Sequence, residues 1–275
     1  MLLAIDVGNT ETVVGLFADD LIAPMGETGP RDGNEPTGLA HHWRLSTVAE
    51  RTADEHALLI TQLLDLDGLD IDDTVSGIAV TSSVPLVTSN LRLMVARWFD
   101  VPAVVLEPGV KSGMPILYDN PKEVGADRVA NAVGAYDLYG GPCVVIDMGT
   151  ATTVEAISAA GEYLGGAITP GVAISLEALY QHAAALRRVE MVEPRHVIGR
   201  STVESIESGT LYGFAAQVDG LARRFMEVLG PSTVVATGGL SSLIAPHSET
   251  IEHVEPWLTL HGLRIVYERN VSDGT

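Results

Sequence analysis

The chain has 275 residues, enough for one large domain or two of ordinary size, and 46% hydrophobic with 19% charged residues is a globular composition that excludes disorder. A formal charge of −20 argues against a nucleic-acid surface, which needs basic patches. No apolar run reaches bilayer-spanning length and Met1-Leu2-Leu3-Ala4-Ile5-Asp6 lacks the basic start of a signal peptide, so no membrane segment and a cytoplasmic protein are expected.

Residues 2–7 and 12–18 read as two β-strands around a turn, Asp6-Val7-Gly8-Asn9-Thr10. The Gly/Pro/acid-rich stretch 24–39 reads as a surface loop, with His41 and His42 at its end. That pair reads as a solvated loop rather than a metal site, because no Cys or carboxylate spacing supports ligation. Residues 43–47 form a third predicted strand. Thr52-Ala53-Asp54-Glu55 is a capping-box pattern opening an amphipathic helix, with Ala57, Ile60, Leu63 and Leu64 at helical spacing. A strand at 75–82, a helix from Pro85 to about Phe99 and a short strand at 102–106 follow. Residues 109–120 read as a loop and 125–139 as a helix.

The second half has the same plan. Strands are predicted at 143–148, 152–158 and 162–168, helices from about 172 and from 202, a strand at 233–237 and a last helix over 258–269. The single Cys143 has no partner for an intramolecular disulfide and reads as a small buried residue rather than a reactive thiol. One phrase occurs twice: Ile5-Asp6-Val7-Gly8-Asn9-Thr10-Glu11-Thr12-Val13 recurs as Ile146-Asp147-Met148-Gly149-Thr150-Ala151-Thr152-Thr153-Val154, with Ile, Asp, Gly, Thr and Val at a constant offset of 141. The duplicated unit, three strands and then alternating helix and strand, resembles the ribonuclease-H-like fold of the actin, hexokinase and Hsp70 superfamily. The fold expected is therefore α/β, two tandem ribonuclease-H-like (actin-like ATPase) domains, 1–119 and 120–275, with a nucleotide cleft between them.

Asp6 sits at the end of a buried strand before a glycine that lets backbone approach a ligand and hydroxyls that face phosphate oxygens. The carboxylate would repel phosphate directly, so its candidate task is to hold hydrated Mg²⁺. The alternative is an ordinary Asp-Gly turn; the repeat favours function, since such a turn needs no matching partner. Asp147 is a second candidate cation ligand, and the hydroxyls of Thr150, Thr152 and Thr153 suit distal phosphates. Ala236-Thr237-Gly238-Gly239 is a further turn where backbone would approach a base or ribose. Gly165-Gly166-Ala167-Ile168-Thr169-Pro170-Gly171 reads either as N–H donors at a helix N-terminus or as a plain strand-to-helix connection. Asp127, opening its helix, is either a first-turn Asp beside an Arg or a base accepting a proton from an attacking hydroxyl, with Arg128 binding an acidic substrate. Thr202 opens another helix, which Ser201 would cap equally well. Only Lys111 and Lys122 are lysines, so phosphates would be met by backbone N–H groups, arginine and bound cations.

Taken together, the motifs resemble those of the type III pantothenate kinases. The series runs through Asp6-Val7-Gly8-Asn9-Thr10, Trp43-Arg44-Leu45-Ser46-Thr47, Pro108-Gly109-Val110-Lys111-Ser112-Gly113-Met114-Pro115 and Tyr118-Asp119-Asn120-Pro121. It continues with Glu123-Val124-Gly125-Ala126-Asp127-Arg128, Asp147-Met148-Gly149-Thr150-Ala151-Thr152-Thr153 and the 165–171 run. The resemblance implies ATP-dependent phosphorylation of pantothenate to 4′-phosphopantothenate, the entry to coenzyme A synthesis, with Asp127 as proton acceptor. It implies ATP binding by Asp6, Val7, Gly8, Asn9, Thr10, Glu11, Thr12, Val13 and Thr150, with Mg²⁺ held through water by Asp6. Pantothenate would be bound by Tyr118, Gly125, Ala126, Asp127, Arg128 and Thr202. Asp147 would hold a monovalent cation, K⁺ or NH₄⁺, and the protein would be a homodimer. The loop 24–39 is longer than the family leads one to expect. Two other functions compete: another small-molecule kinase of the superfamily, and a non-enzymatic regulator.

Overall fold

Two antiparallel hairpins carry the repeated Asp-x-Gly phrase, and each is the centre of its own five-stranded sheet. The computed structural model describes residues 1–18, 38–183 and 186–272. In the first sheet, β1 (Leu2–Val7), β2 (Glu11–Phe17) and β3 (Leu39–Ser46) form an antiparallel meander. Helices α1 (Ala53–Leu66) and α2 (Ile71–Thr74) lead to β4 (Gly77–Ser82), parallel to β1, and α3 (Pro85–Trp98) leads to β5 (Ala103–Val105). The strand order is β3-β2-β1-β4-β5.

After α4 (Ala126–Tyr139) the pattern repeats with β6 (Cys143–Met148), β7 (Ala151–Ile157) and β8 (Tyr163–Pro170), then α5 (Val172–His182) and α6 (Thr202–Leu229). Strand β9 (Thr233–Thr237) runs parallel to β6, and α7 (Ser241–Ile244), β10 (His253–Val254) and α8 (Leu258–Ser272) complete the chain. The second order, β10-β9-β6-β7-β8, is the first read from its other end. This is the duplicated ribonuclease-H-like plan.

Alternation fixes which face is which. Leu3, Ile5 and Val7 of β1 join Ile78 and Val80 of β4 in a core closed by Ala57, Ile60 and Leu64 of α1 and Val87, Leu91 and Met94 of α3. Each of these side chains larger than alanine contributes roughly 1.5–3 kcal/mol by leaving water. The capping box of α1 forms as expected: Glu55 N–H donates to the Thr52 hydroxyl at 3.3 Å, and the Glu55 carboxylate accepts from Thr52 N–H at 2.8 Å. In the second sheet Val144, Ile146, Met148 and Val154 pack on Leu211, Ala215, Val218 and Ala222 of α6.

The chain divides into two compact units, Met1–Leu138 with Trp257–Thr275, and Tyr139–Pro256. This division differs from a boundary at 119/120, because α8 packs on β1 and β4, and α4 packs on α8. Strand β3 begins at Leu39, so His41 and His42 are strand residues rather than the end of a loop. His41 stacks on Trp43 and hydrogen-bonds with Asp67 at 3.0 Å, and the His42 ring lies 4.1 Å from that of Trp257. Residues 19–37, most of the 24–39 stretch, lie outside the described residues. Strand β8 runs to Pro170, so the glycine-rich run is strand, and only Gly171 joins it to α5. The repeat also slips: Asp6 pairs with Val13 but Asp147 with Thr153, so the offset falls from 141 to 140 past a first turn one residue longer. Among the described residues no helix is long and apolar enough to cross a membrane.

Candidate active site

The first turn is built by β1 and β2. Gly8 N–H donates to the Glu11 carbonyl at 2.9 Å, and a Cβ on Gly8 would stand 3.1 Å from that oxygen, tighter than most side chains tolerate. Asp6 is flanked in register by Val13 on β2 and Thr81 on β4. The Thr81 hydroxyl is buried with no hydrogen-bond partner among the described residues. Asn9, Thr10 and Glu11 are exposed, and Arg44 Nη1 donates to Glu11 at 2.9 Å. Thr47, the residue after β3, holds the turn: its hydroxyl donates to the Gly8 carbonyl at 2.8 Å and its N–H to the Thr10 carbonyl at 2.9 Å.

The second turn matches it. Gly149 N–H donates to the Ala151 carbonyl at 3.0 Å, and Asp147 is flanked by Thr153 and Thr237, the counterparts of Val13 and Thr81. Gly171 stands where Thr47 stands in the first unit, and its N–H donates to the Thr150 carbonyl at 3.1 Å. Gly238 covers the carboxylate: at φ +90°, its Cβ position lies 2.6 Å from Asp147 Oδ1 and 2.7 Å from Met148 N. The hydroxyls of Thr152 and Thr153 are buried without a hydrogen-bond partner among the described residues. Thr150 is exposed.

Asp127 stands in the first turn of α4, where the helix dipole favours a carboxylate. Its Oδ1 accepts from the Arg128 N–H at 2.8 Å, so the acid is anchored by backbone rather than by an arginine guanidinium. The group is half-buried, and the Arg128 side chain is buried. Beside this helix start is a cavity of about 300 Å³ whose walls include Leu106, Val110, Ile116, Lys122, Val124 and Ala126. Tyr118, half-buried, precedes it in the same unit. Thr202 belongs to the second unit, exposed at the start of α6, and the cap is Ser201, whose hydroxyl accepts from Glu204 N–H at 3.2 Å.

The family model for type III pantothenate kinase matches residues 2–224. The chain belongs to the type III pantothenate kinase family. A relative of that name from Streptomyces griseus is 52% identical over 280 residues, covering 99% of each chain. Among solved structures, a Campylobacter jejuni protein described as a Baf family transcriptional activator matches with a TM-score of 0.58 at 18% identity, covering 98% of this chain and 99% of that one. An archaeal actin homologue matches with a TM-score of 0.50 at 15% identity, covering 98% and 99%. These two likenesses carry the fold alone, and the fold is the actin-like one.

Type III pantothenate kinase motifs thus fall on both turns and on the head of α4, but the part that Thr47, Thr81 and Gly171 play in completing the turns was not read from sequence. They act through strand register, which no local pattern displays; Thr47 and Gly171 stood only as the last residues of the 43–47 and 165–171 motifs, and Thr81 in none. Among the described residues no three His, Cys, Asp or Glu side chains gather as a metal cluster. The oxygen chemistry nonetheless fits a hard cation at each aspartate. Asp147 has the buried Thr153 hydroxyl beside it, and Asp6 has that of Thr81. Mg²⁺ binding through few carboxylates and several waters needs no larger cluster.

Proposed function

We propose that this protein transfers the γ-phosphoryl group of ATP to the 4′-hydroxyl of pantothenate, the first step of coenzyme A synthesis in the cytoplasm. The observation that carries the reading is Asp127, a carboxylate at a helix head with one oxygen held by backbone and the other taking no hydrogen bond among the described residues. The hydroxyl oxygen attacks the γ-phosphorus, its proton passes to Asp127, and the bond to the β-phosphate oxygen breaks to release ADP. Such transfer depends on positioning and charge neutralisation more than on covalent participation.

The first turn, with Asn9, Thr10 and Glu11 exposed at its tip, and Thr150 of the second turn hold the ATP phosphates. Mg²⁺ carried through water by Asp6, and K⁺ or NH₄⁺ at Asp147, would neutralise phosphate charge in a chain with only two lysines. Gly125, Ala126 and Arg128, with Tyr118 and Thr202, orient pantothenate, and the working form is a homodimer. Neither a kinase of another small molecule nor a binding-only regulator is favoured by any feature of the site. ADP release is the test. Purified protein with ATP, Mg²⁺ and K⁺ releases ADP only when pantothenate is added; sugars in its place that support equal turnover would overturn the assignment.

A further inference from the structure

Helix α8 has no part in the chemistry above and lies beyond the 2–224 match to the family model. It stands between the two groups that must cooperate. On one side is the sheet whose first turn carries Asp6; on the other is α4, whose head carries Asp127.

The sheet face toward α8 is the Asp6 face; Leu2 and Phe17, the latter under Arg264, mark one end of it, and small residues line its middle. Ala4, two residues before Asp6, pairs with Gly15 and with Ala79. A Cβ on Gly15 would stand 2.7 Å from Leu260 Cδ1, and one on Gly77 would run into the Tyr267 hydroxyl. On the α4 side the neighbours are main chain. A Cβ on Gly134 would lie 2.8 Å from the Leu258 carbonyl oxygen, and one on Gly262 would run into the carbonyl of Ala130, one turn from Asp127. Backbone meets backbone here, so no rotamer change makes room. Two polar ties fix the register of the seam: the Thr259 hydroxyl donates to Asn131 Oδ1 at 2.7 Å, and His261 Nε2 hydrogen-bonds with Asp137 Oδ2 at 2.9 Å.

We infer that α8 is a spacer that sets Asp127 at its working position relative to the Asp6 turn, with Gly262 and Thr259 as positioning residues for phosphoryl transfer. The inference rests on the reading of Asp127 as the base. An ordinary core helix would need volume and apolar contact; it would not need two glycines that let main chains touch.

The test uses the full chain with G262A, T259V, T259S, D127N and the G262A/D127N double variant. Displacing a reacting group by about 1 Å costs on the order of 10²-fold, so kcat of G262A falls by about that factor. Its ATP affinity, read by nucleotide titration, stays within about twofold, because the turn that binds ATP stays on the sheet. T259V loses about tenfold in kcat and T259S restores it. In the D127N background G262A costs less than about twofold, since the group it misplaces is already gone. A G262A enzyme with wild-type kcat, or one losing the same factor with and without Asp127, would overturn the spacer. Should G262A not fold, equal kcat in T259V and T259S would overturn it instead. Full activity in D127N itself would overturn the base reading, a separate outcome.

Discussion

Thr47 grips the turn at Gly8 from the neighbouring strand: its hydroxyl donates to the Gly8 carbonyl at 2.8 Å and lies 2.9 Å from the Thr12 hydroxyl. The loop meant to hold phosphates is thus shaped by a residue 39 positions away. A net hydrogen bond is worth about 1 kcal/mol, or about fivefold in an equilibrium. T47V is expected to raise the KM for ATP by about that factor and leave the KM for pantothenate unchanged. T47S keeps the hydroxyl and should behave as wild type; equal ATP KM values in T47V and T47S would remove Thr47 from this role.

Gly238 offers a sharper test of the cation site. An alanine there would be strained by φ +90° and would press its methyl on Asp147 Oδ1 and the Met148 backbone. Strain of this kind costs on the order of 1–3 kcal/mol, and its relief must move the carboxylate. The K⁺ concentration for half-activation of G238A should rise at least about tenfold. An unchanged K⁺ titration would show that Asp147 does not hold the ion.

His56 predicts a pH dependence of stability. Burial holds its pKa below the ordinary 6.5, with Arg51 acting in the same direction, and its Nε2 is buried without a hydrogen-bond partner among the described residues. On acidification the unfolded chain therefore takes up this proton first. The stability that neutral His56 secures is complete above pH 6.5 and is lost as the pH falls through the lower folded-state pKa. Thermal melts from pH 7.5 down to about 5 should show a fall in Tm that is smaller in H56L. Parallel curves for the two proteins would contradict this.

Cys143 should be silent. It is fully buried at the start of β6, and burial pushes its thiol up to about 12. At pH 8 a thiol reagent such as DTNB should label the native chain at a negligible rate and the urea-unfolded chain with one equivalent. Rapid native labelling would show an open thiol.

The sequence disclosed the fold because its signals are periodic and local. Leu3, Ile5 and Val7 alternate as a buried strand must, and the Thr52 and Glu55 caps lie within one helical turn of each other. The repeat of Asp6-x-Gly8 as Asp147-x-Gly149 identified both turns. Long-range pairing was less visible. β3 begins at Leu39, inside a stretch that composition alone assigns to a loop, because its partner β2 supplies the order. Glycines 165 and 166 fall in β8 as the strand predicted over 162–168 has it, but that the strand runs on to Pro170, and that Gly166 leaves room for the buried Glu155, came only with the pairing to β7. The α8 seam was hidden for the same reason: Gly262 and Gly134 are unremarkable until α4 and α8 touch.

The central claim is that Asp127 takes the proton from the pantothenate hydroxyl. The most direct measurement is the rate of pantothenate-dependent ADP release by D127N in saturating ATP, Mg²⁺ and K⁺, beside ATP binding by the same protein. General bases contribute about 10²–10⁴-fold, so kcat should fall by that factor while ATP affinity is retained. A D127N enzyme that binds ATP and turns over pantothenate at the wild-type rate would contradict the account.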